Sequence, residues 1–330
     1  MGKTISDIGE FGLIRSITHD FIYRPGMVKL GAGDDGAVYS IPNGYDQVIS
    51  TDTMVEGIHF LKKTMSPYDV GYKLCASNFS DMAAMGADAV GFVISAALPE
   101  DLPCSWVNDC YEGIRACCES YRVNLLGGDM TGSPKGVILT GTVIGMVPSN
   151  EAVTRSGAKP GDLVFVTGTL GDSAAGLAAI MKGIGRNYPL ITARHQRPRP
   201  QISQGMWLRK AGATSLNDIS DGLSREANEI AYASGIAMDI LEDAIPLSWE
   251  SQCLGKELGQ NPLDWAWNGG EDYQLVGTIS PENYENIKAV SSITIIGKVR
   301  ESLDSDVGVY VMRDHRSVKM TPHGYDHFQH

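Results

Sequence analysis

Seven aspartates stand in short segments rich in Gly, Ser and Thr, spread along most of the chain. They are Asp34 and Asp35 in GAGDDGAV, Asp52 in STDTMVEGIHF, Asp81 in NFSDMAAMGA, Asp129 in LLGGDMTG, and Asp218 and Asp221 in NDISDGLS. If a fold gathers them, they cannot all stay ionised side by side: two unit charges about 4 Å apart repel by roughly 4 kcal/mol at an effective dielectric near 20. Protons, basic side chains or bound metal must supply the counter-charge. Oxygen-only ligands suit hard Mg2+ rather than zinc, and Mg2+ held by carboxylates usually also holds phosphates. Ser50, Thr51, Thr53, Ser80 and Ser220 stand beside these acids and can add neutral ligands or hold metal-bound water. The chemistry indicated is phosphoryl transfer or nucleotide cleavage. Any one of these aspartates reads as readily as an Asx turn or a helix cap; the DDGA, TDT, NFSD, GGD and DISDG segments taken together do not.

Gly31, Gly33 and Gly36 match the dinucleotide-binding spacing, and Asp52 sits near the distance of a ribose-binding acid. A strand pattern, AVYSI, follows where that motif needs a helix, and two carboxylates would face the pyrophosphate, so the match is rejected. No GxxxxGK[ST] occurs, and the protein-kinase signature set is missing. Arg155, in TRSGAKPGD after a strand and a turn, is a candidate guanidinium fork on phosphates. His59 follows Asp52 closely enough for a substrate contact, and Glu271 follows two glycines that leave room for a ligand.

The elements that must position these residues read as alternating strands and helices. Strands are expected over 36–41 and 47–51, placing Asp52 at the end of the second. Ser66-Pro67 opens a helix with Val70, Leu74, Cys75, Phe79, Met82 and Met85 on its apolar face, Asp81 late in it and Gly86 as its stop. A strand over 89–99 and a helix marked by Val107, Tyr111, Ile114, Cys118 and Tyr121 follow. VNLLGGDMT reads as a short strand running into a glycine turn, and 136–147 as another strand. Pro148-Ser149-Asn150 is a candidate boundary. Beyond it, strand and helix patterns recur, RHQRPRP reads as a surface connection, and DISDG as a glycine turn into a helix. The expected fold is two α+β domains with mixed sheets, over 1–148 and 149–330.

Composition bounds the function. The chain has 330 residues, 43% hydrophobic and 20% charged, which is ordinary for a globular protein of about two domains. A net charge of −12 argues against a nucleic-acid surface. An anionic substrate must be received by metal or a few local arginines. The six cysteines show no CxxC or zinc spacing and read as buried apolar residues. With no signal-peptide pattern and no apolar run of about 18 residues, a reduced cytoplasmic setting without membrane contact is expected.

With these segments assembled, the chain resembles the thiamine-monophosphate kinase family, in the wider superfamily that includes aminoimidazole-ribonucleotide synthetase and selenophosphate synthetase. The motifs run nearly end to end: GEFGLI, GAGDDGAV, STDTMVEGIHF, NFSDMAAMGA, GGDMT, TRSGAKPGD, GTLGDSAAGL, RHQRPRP, DISDGL, GGEDYQL and GYDHF. DISDGL and GGD carry only the superfamily; STDTMVEGIHF, RHQRPRP and GGEDY point to the thiamine member. The resemblance implies ATP-dependent, Mg2+-assisted phosphorylation of thiamine monophosphate to thiamine diphosphate. It also implies an aminoimidazole-ribonucleotide synthetase-like homodimer whose N-terminal domains share a barrel, the C-terminal domain completing the active site. Asp35, Ser50, Thr51, Asp52, Asp81, Asp129, Asp218 and Asp221 correspond to magnesium ligands. Tyr111, Gly128, Asp129, Arg155 and Ser220 correspond to ATP contacts; His59, Glu271 and an aromatic near the end, Tyr325 or Phe328, correspond to thiamine-phosphate contacts. Phe79 stands where the family would have a smaller aliphatic residue. The rival readings are a sibling synthetase with the same ATP site and a non-catalytic nucleotide-binding maturation protein. The first cysteine is Cys75, inside an expected helix, which disfavours the selenophosphate option.

Overall fold

The computed structural model describes residues 4, 17, 21–31, 36–290, 292–303, 306–313 and 316–321. Asp34, Asp35, Tyr325 and Phe328 lie outside the described residues. The chain divides into two compact units, one of residues 1–82 and 87–150, the other of 83–86 and 151–330.

In the first unit, β1 (Val28–Leu30) and β2 (Val38–Tyr39) form a small antiparallel pair, so the strand expected over 36–41 shrinks to two residues. The main sheet has four strands in the order β3-β6-β4-β5. They are β3 (Tyr45–Val55), β4 (Asp88–Leu98), β5 (Asn124–Gly132) and β6 (Ile138–Pro148). β4 and β5 run parallel; β6 is antiparallel to both of its neighbours. β3 is longer than its sequence pattern suggests, and Asp52 lies within it, not at its end.

Helix α1 (Pro67–Ala84) begins where Ser66-Pro67 predicts. The Ser66 hydroxyl accepts from the Asp69 amide at 3.2 Å, and Asp69 Oδ2 accepts from the Ser66 amide at 3.1 Å. This is a capping box closed by aspartate. The chain leaves the helix at Gly86, whose φ of +63° suits glycine. Helix α2 (Cys104–Tyr121) packs on α1 at close range. A Cβ on Gly71 would stand 1.9 Å from the Cys110 carbonyl, and one on Gly113 1.9 Å from that of Tyr68. Small residues at this crossing explain the cysteine cluster: Cys75, Cys110, Cys117 and Cys118 are buried free thiols, and burial pushes Cys110 up to about 12. Phe79 is fully buried, edge-on to Phe92 and Tyr121 at 5.4 and 6.0 Å between ring centres.

The second unit is built on a seven-stranded mixed sheet, order β13-β12-β9-β11-β7-β10-β8. Its strands are β7 (Leu163–Thr167), β8 (Ala213–Asp218), β9 (Ala237–Leu241), β10 (Leu275–Ile279), β11 (Ile293–Arg300), β12 (Gly308–Arg313) and β13 (Arg316–Lys319). The helices are α3 (Asp172–Met181), α4 (Pro189–Gln196), α5 (Ile202–Lys210), α6 (Leu223–Ser234), α7 (Trp249–Leu258), α8 (Pro262–Asn268) and α9 (Pro281–Ile287). Leu223, Ala227, Ile230 and Ala231 recur at helical spacing on α6. They belong to one core with Met238, Ile240, Ile296, Val309 and Val311 of the sheet. RHQRPRP departs from the expected surface connection. Its first three residues close α4, and His195 is buried.

Candidate active site

In the first unit, β3 and α1 carry the acidic segments toward each other. Asn78 and Asp81 share one side of α1, three residues apart. Asn78 Oδ1 accepts from the Asp52 amide at 3.2 Å, while Asp81 Oδ2 accepts from the Ser50 hydroxyl at 2.5 Å. Asn78 is held in turn by donating to the Leu74 carbonyl at 2.8 Å. Thr51 belongs to the alternate face of β3, where its hydroxyl donates to the Gly141 carbonyl at 2.7 Å.

Asp129 and Gly128 lie on β5. The expected glycine turn is absent: Gly127, Gly128 and Asp129 continue the strand, Gly128 opposite Ile94 and Asp129 opposite Ser95. A Cβ on Gly128 would stand 2.0 Å from the Ile94 carbonyl, so glycine is what lets the two backbones approach. Asp129 is exposed. β3 and β5 are the two edges of the four-stranded sheet, so three strand spacings, about 14 Å, separate Asp52 from Asp129 within it. Among the described residues, no three His, Cys, Asp or Glu side chains meet closely enough to hold a metal alone.

His59 follows β3 after a turn at Gly57 (φ +88°). Its Nδ1 accepts from the Val55 amide at 3.0 Å, so the neutral ring carries its proton on Nε2. Tyr111 is buried in α2, and burial raises its phenol well above the usual range.

In the second unit, the DISDG and GGEDY segments extend a strand pair past its ends. Asp218 of β8 is opposite Leu275 of β10. Beyond them the Ile219 amide donates to the Gln274 carbonyl (2.7 Å), Tyr273 to Ile219 (2.9 Å) and Glu271 to Ser220 (2.7 Å). Gly270 fits here because a Cβ would stand 2.5 Å from the Ser220 carbonyl. Glu271 and Tyr273 take φ of 68° and 50°, left-handed values unusual for side-chain-bearing residues. Arg155 Nε donates to Asn217 Oδ1 at 3.1 Å. Ser220, Asp221, Glu271 and Arg155 thus surround one end of β8, and Asp218 is buried within it.

Three residues that the sequence reading passed over support this end of the sheet. Glu226, in the first turn of α6, accepts from the Asn217 side chain, the Ser220 hydroxyl and the Asp221 amide. Burial and the neighbouring Asp221 raise it to about 7, against the pull of Arg155. Asp272 accepts from the Gly171 and Ser173 amides at the start of α3, at 2.6 and 3.1 Å. Burial raises it to about 8 despite those bonds, with Asp172 pushing the same way. His195 has its Nδ1 3.2 Å from the Ser173 hydroxyl and 3.6 Å from Glu271 Oε2. The one sequence signal for them is adjacency, since each lies in or beside a segment already singled out.

The chain matches the AIR synthase related protein models, the N-terminal domain over 33–147 and the C-terminal domain over 159–309. It is 38% identical to the thiamine-monophosphate kinase of Bacillus subtilis (strain 168), across 97% of this chain and 99% of that protein. The chain belongs to the thiamine-monophosphate kinase family. Among solved structures, thiamine-monophosphate kinase from Stenotrophomonas maltophilia K279a superposes with a TM-score of 0.81 at 30% identity, covering 92% of this chain and 95% of that one. AaThiL complexed with AMPPCP and TMP superposes with a TM-score of 0.78 at 34% identity, covering 99% of both chains. These family members share the mixed-sheet, two-domain architecture read from the motifs.

Proposed function

We propose that this protein transfers the γ-phosphate of ATP to thiamine monophosphate, yielding thiamine diphosphate and ADP. The observation that carries the reading is the match, along 99% of both chains, to a relative whose structure holds AMPPCP and TMP together.

The acceptor needs little activation. A phosphate monoester has its second pKa near about 6, so its oxygens are largely dianionic at neutral pH and no general base is required. The task is to align two anions. Ser50, Thr51, Asp52, Asp81 and Asp129, with Asp35, are the residues of the N-terminal half that would hold Mg2+; Asp218 and Asp221 are those of the C-terminal half. The donor set fits the ion, being carboxylates and hydroxyls without thiolate or imidazole, and Ser50 with Asp81 already forms a pair of oxygen groups 2.5 Å apart. When bound, Mg2+ supplies the positive charge that makes two phosphate groups compatible. Gly128, next to Asp129 on β5, contributes backbone to the ATP side. Arg155 presents a guanidinium to phosphate oxygens, with Asn217 steering it. Ser220 adds a hydroxyl donor, and Tyr111 supports the nucleotide from α2. His59 offers Nε2–H to the substrate. Glu271 places a carboxylate against the cationic thiazolium ring, with Tyr325 or Phe328 stacking on the thiamine.

We assign a homodimer on a related argument. Both edges of the first unit's sheet, β3 and β5, lack a neighbour among the described residues. Closing two such sheets into one barrel would set the Asp52 strand of one copy beside the Asp129 strand of the other. That arrangement brings together acids which a single sheet holds about 14 Å apart. In this reading residues 1–148 bind ATP and metal and dimerise, and residues 149–330 complete the site. The six cysteines, all free thiols, suit a reducing cytoplasm.

The test is a coupled ADP-release assay with and without thiamine monophosphate. Strict dependence on that acceptor is expected. Equal release without it would point to a sibling enzyme or a nucleotide-holding protein.

A further inference from the structure

Glu226 is 4% exposed, and its carboxylate is enclosed by donors. Oε2 accepts from Asn217 Nδ2 at 2.6 Å, and Oε1 accepts from the Ser220 hydroxyl at 3.2 Å and the Asp221 amide at 3.3 Å. Asn217 is buried as well, and its other side-chain atom, Oδ1, receives Arg155 Nε at 3.1 Å. A continuous path therefore runs from Arg155 through Asn217 and Glu226 to Ser220 and Asp221. The path joins a segment before the sheet, a strand, a loop and a helix. A carboxylate suits the centre of it because it is acceptor-only when ionised. An amide there would turn an NH2 group toward a donor on one side or the other.

We propose that Glu226 is a positioning residue for nucleotide binding: it fixes Asn217, and through it Arg155, in register with Ser220 and Asp221. The proposal rests on the reading of Arg155 and Ser220 as ATP contacts. Glu226 is buried, with its carboxylate taken up by Asn217, Ser220 and Asp221, and acts through the residues it holds. Its loss should therefore weaken nucleotide binding and spare thiamine-phosphate binding.

The decisive variant is Glu226→Gln, which keeps volume but forces a donor against a donor. Losing one charge-assisted hydrogen bond predicts an ATP KM raised about tenfold, with a matching rise in the Kd of a non-hydrolysable ATP analogue measured by calorimetry. The thiamine-monophosphate KM should stay within about twofold. Amide hydrogen exchange over 219–222 should quicken. Pairing Glu226→Gln with Asn217→Asp exchanges acid and amide and restores donor to acceptor, so the double variant should recover most of the analogue affinity. If E226Q binds the analogue as the wild type does, with unchanged exchange, the role of Glu226 is overturned while the reading of the site stands. If the wild type itself binds no analogue, both fall. Should E226Q fail to fold, Glu226→Asp carries the test: it keeps the charge but is one methylene too short to reach both sides, and unchanged analogue affinity there overturns the proposal equally.

Discussion

The Ser50 hydroxyl donates to the Asp81 carboxylate over 2.5 Å, so β3 and α1 meet through two groups that the functional reading assigns to the same metal cradle. The contact does two jobs. It docks the helix on the strand, and it holds an acid in place before any ligand arrives. Ser50→Ala removes this donor from Asp81. A hydrogen bond to a charged, half-buried group contributes about 1.5 kcal/mol. A fall of that order in urea-denaturation free energy is expected, together with a raised Mg2+ requirement for turnover. A variant with wild-type stability and wild-type Mg2+ dependence would show that the contact serves neither purpose.

Asp52 and Asp129 are the acids whose loss should cost most in catalysis and least in folding. Neither is buried, and the backbone of each is fixed by its own sheet ladder. Asp52→Asn and Asp129→Asn should each cut turnover by about two orders of magnitude, roughly 2.7 kcal/mol of lost charge stabilisation. Circular dichroism and melting should stay near those of the parent. Normal ADP release from both purified variants would remove the metal-cradle assignment.

Adjacent glycines of β5 provide an internal comparison. A Cβ at Gly128 would stand 2.0 Å from the Ile94 carbonyl, whereas one at Gly127 meets nothing within 4 Å. Gly128→Ala should force β5 away from β4 and destabilise by about 1–3 kcal/mol. Gly127→Ala should be neutral, or stabilising by about 0.5 kcal/mol through the unfolded chain. Differential scanning calorimetry of the two variants checks the contrast, and equal effects would contradict the close approach.

Asp272 gives stability a pH dependence whose sign is fixed. Its carboxyl is raised from 3.8 to about 8, chiefly by burial. The folded state therefore keeps a proton that the unfolded state has released, and folding is favoured at low pH. This contribution is complete below about pH 4 and is lost as pH rises toward 8. Unfolding free energies at pH 5, 7 and 9 should fall in that order, and Asp272→Asn should flatten the decline. A parent protein equally stable at pH 5 and 9 would place Asp272 in its ionised form throughout.

Much of this architecture was legible in the sequence, and the reasons differ by element. The Ser66-Pro67 start and Gly86 stop of α1 are local capping signals and appear where expected. AMDIL and GVYVMR are strands because their β-branched and apolar residues fit a buried sheet. GGD misled: two glycines suggest a turn, but here they admit a neighbouring backbone and the strand continues. RHQRPRP misled in the same way, because a polar segment conceals a histidine buried by tertiary packing. Glu226 and Asp272 carried no signal of their own. A buried acid and a surface acid look alike until the donors around them are known.

His195 and Glu271 test the thiamine side of the site. Glu271 is held in a left-handed backbone conformation by the hydrogen bond its backbone N–H donates to the Ser220 carbonyl, and the His195 ring lies 3.6 Å from its carboxylate. Strain of this kind persists where the surroundings fix it, and it aims the side chain. Glu271→Gln should raise the thiamine-monophosphate KM about tenfold, the effect of one lost charged contact, and leave the ATP KM within about twofold. His195→Gln should produce a smaller shift, about threefold, in the same constant, because it acts through Glu271. The double variant should then be no worse than Glu271→Gln alone, since both changes remove one interaction. Additive losses, or a defect confined to ATP, would separate the two residues and move Glu271 out of the thiamine pocket.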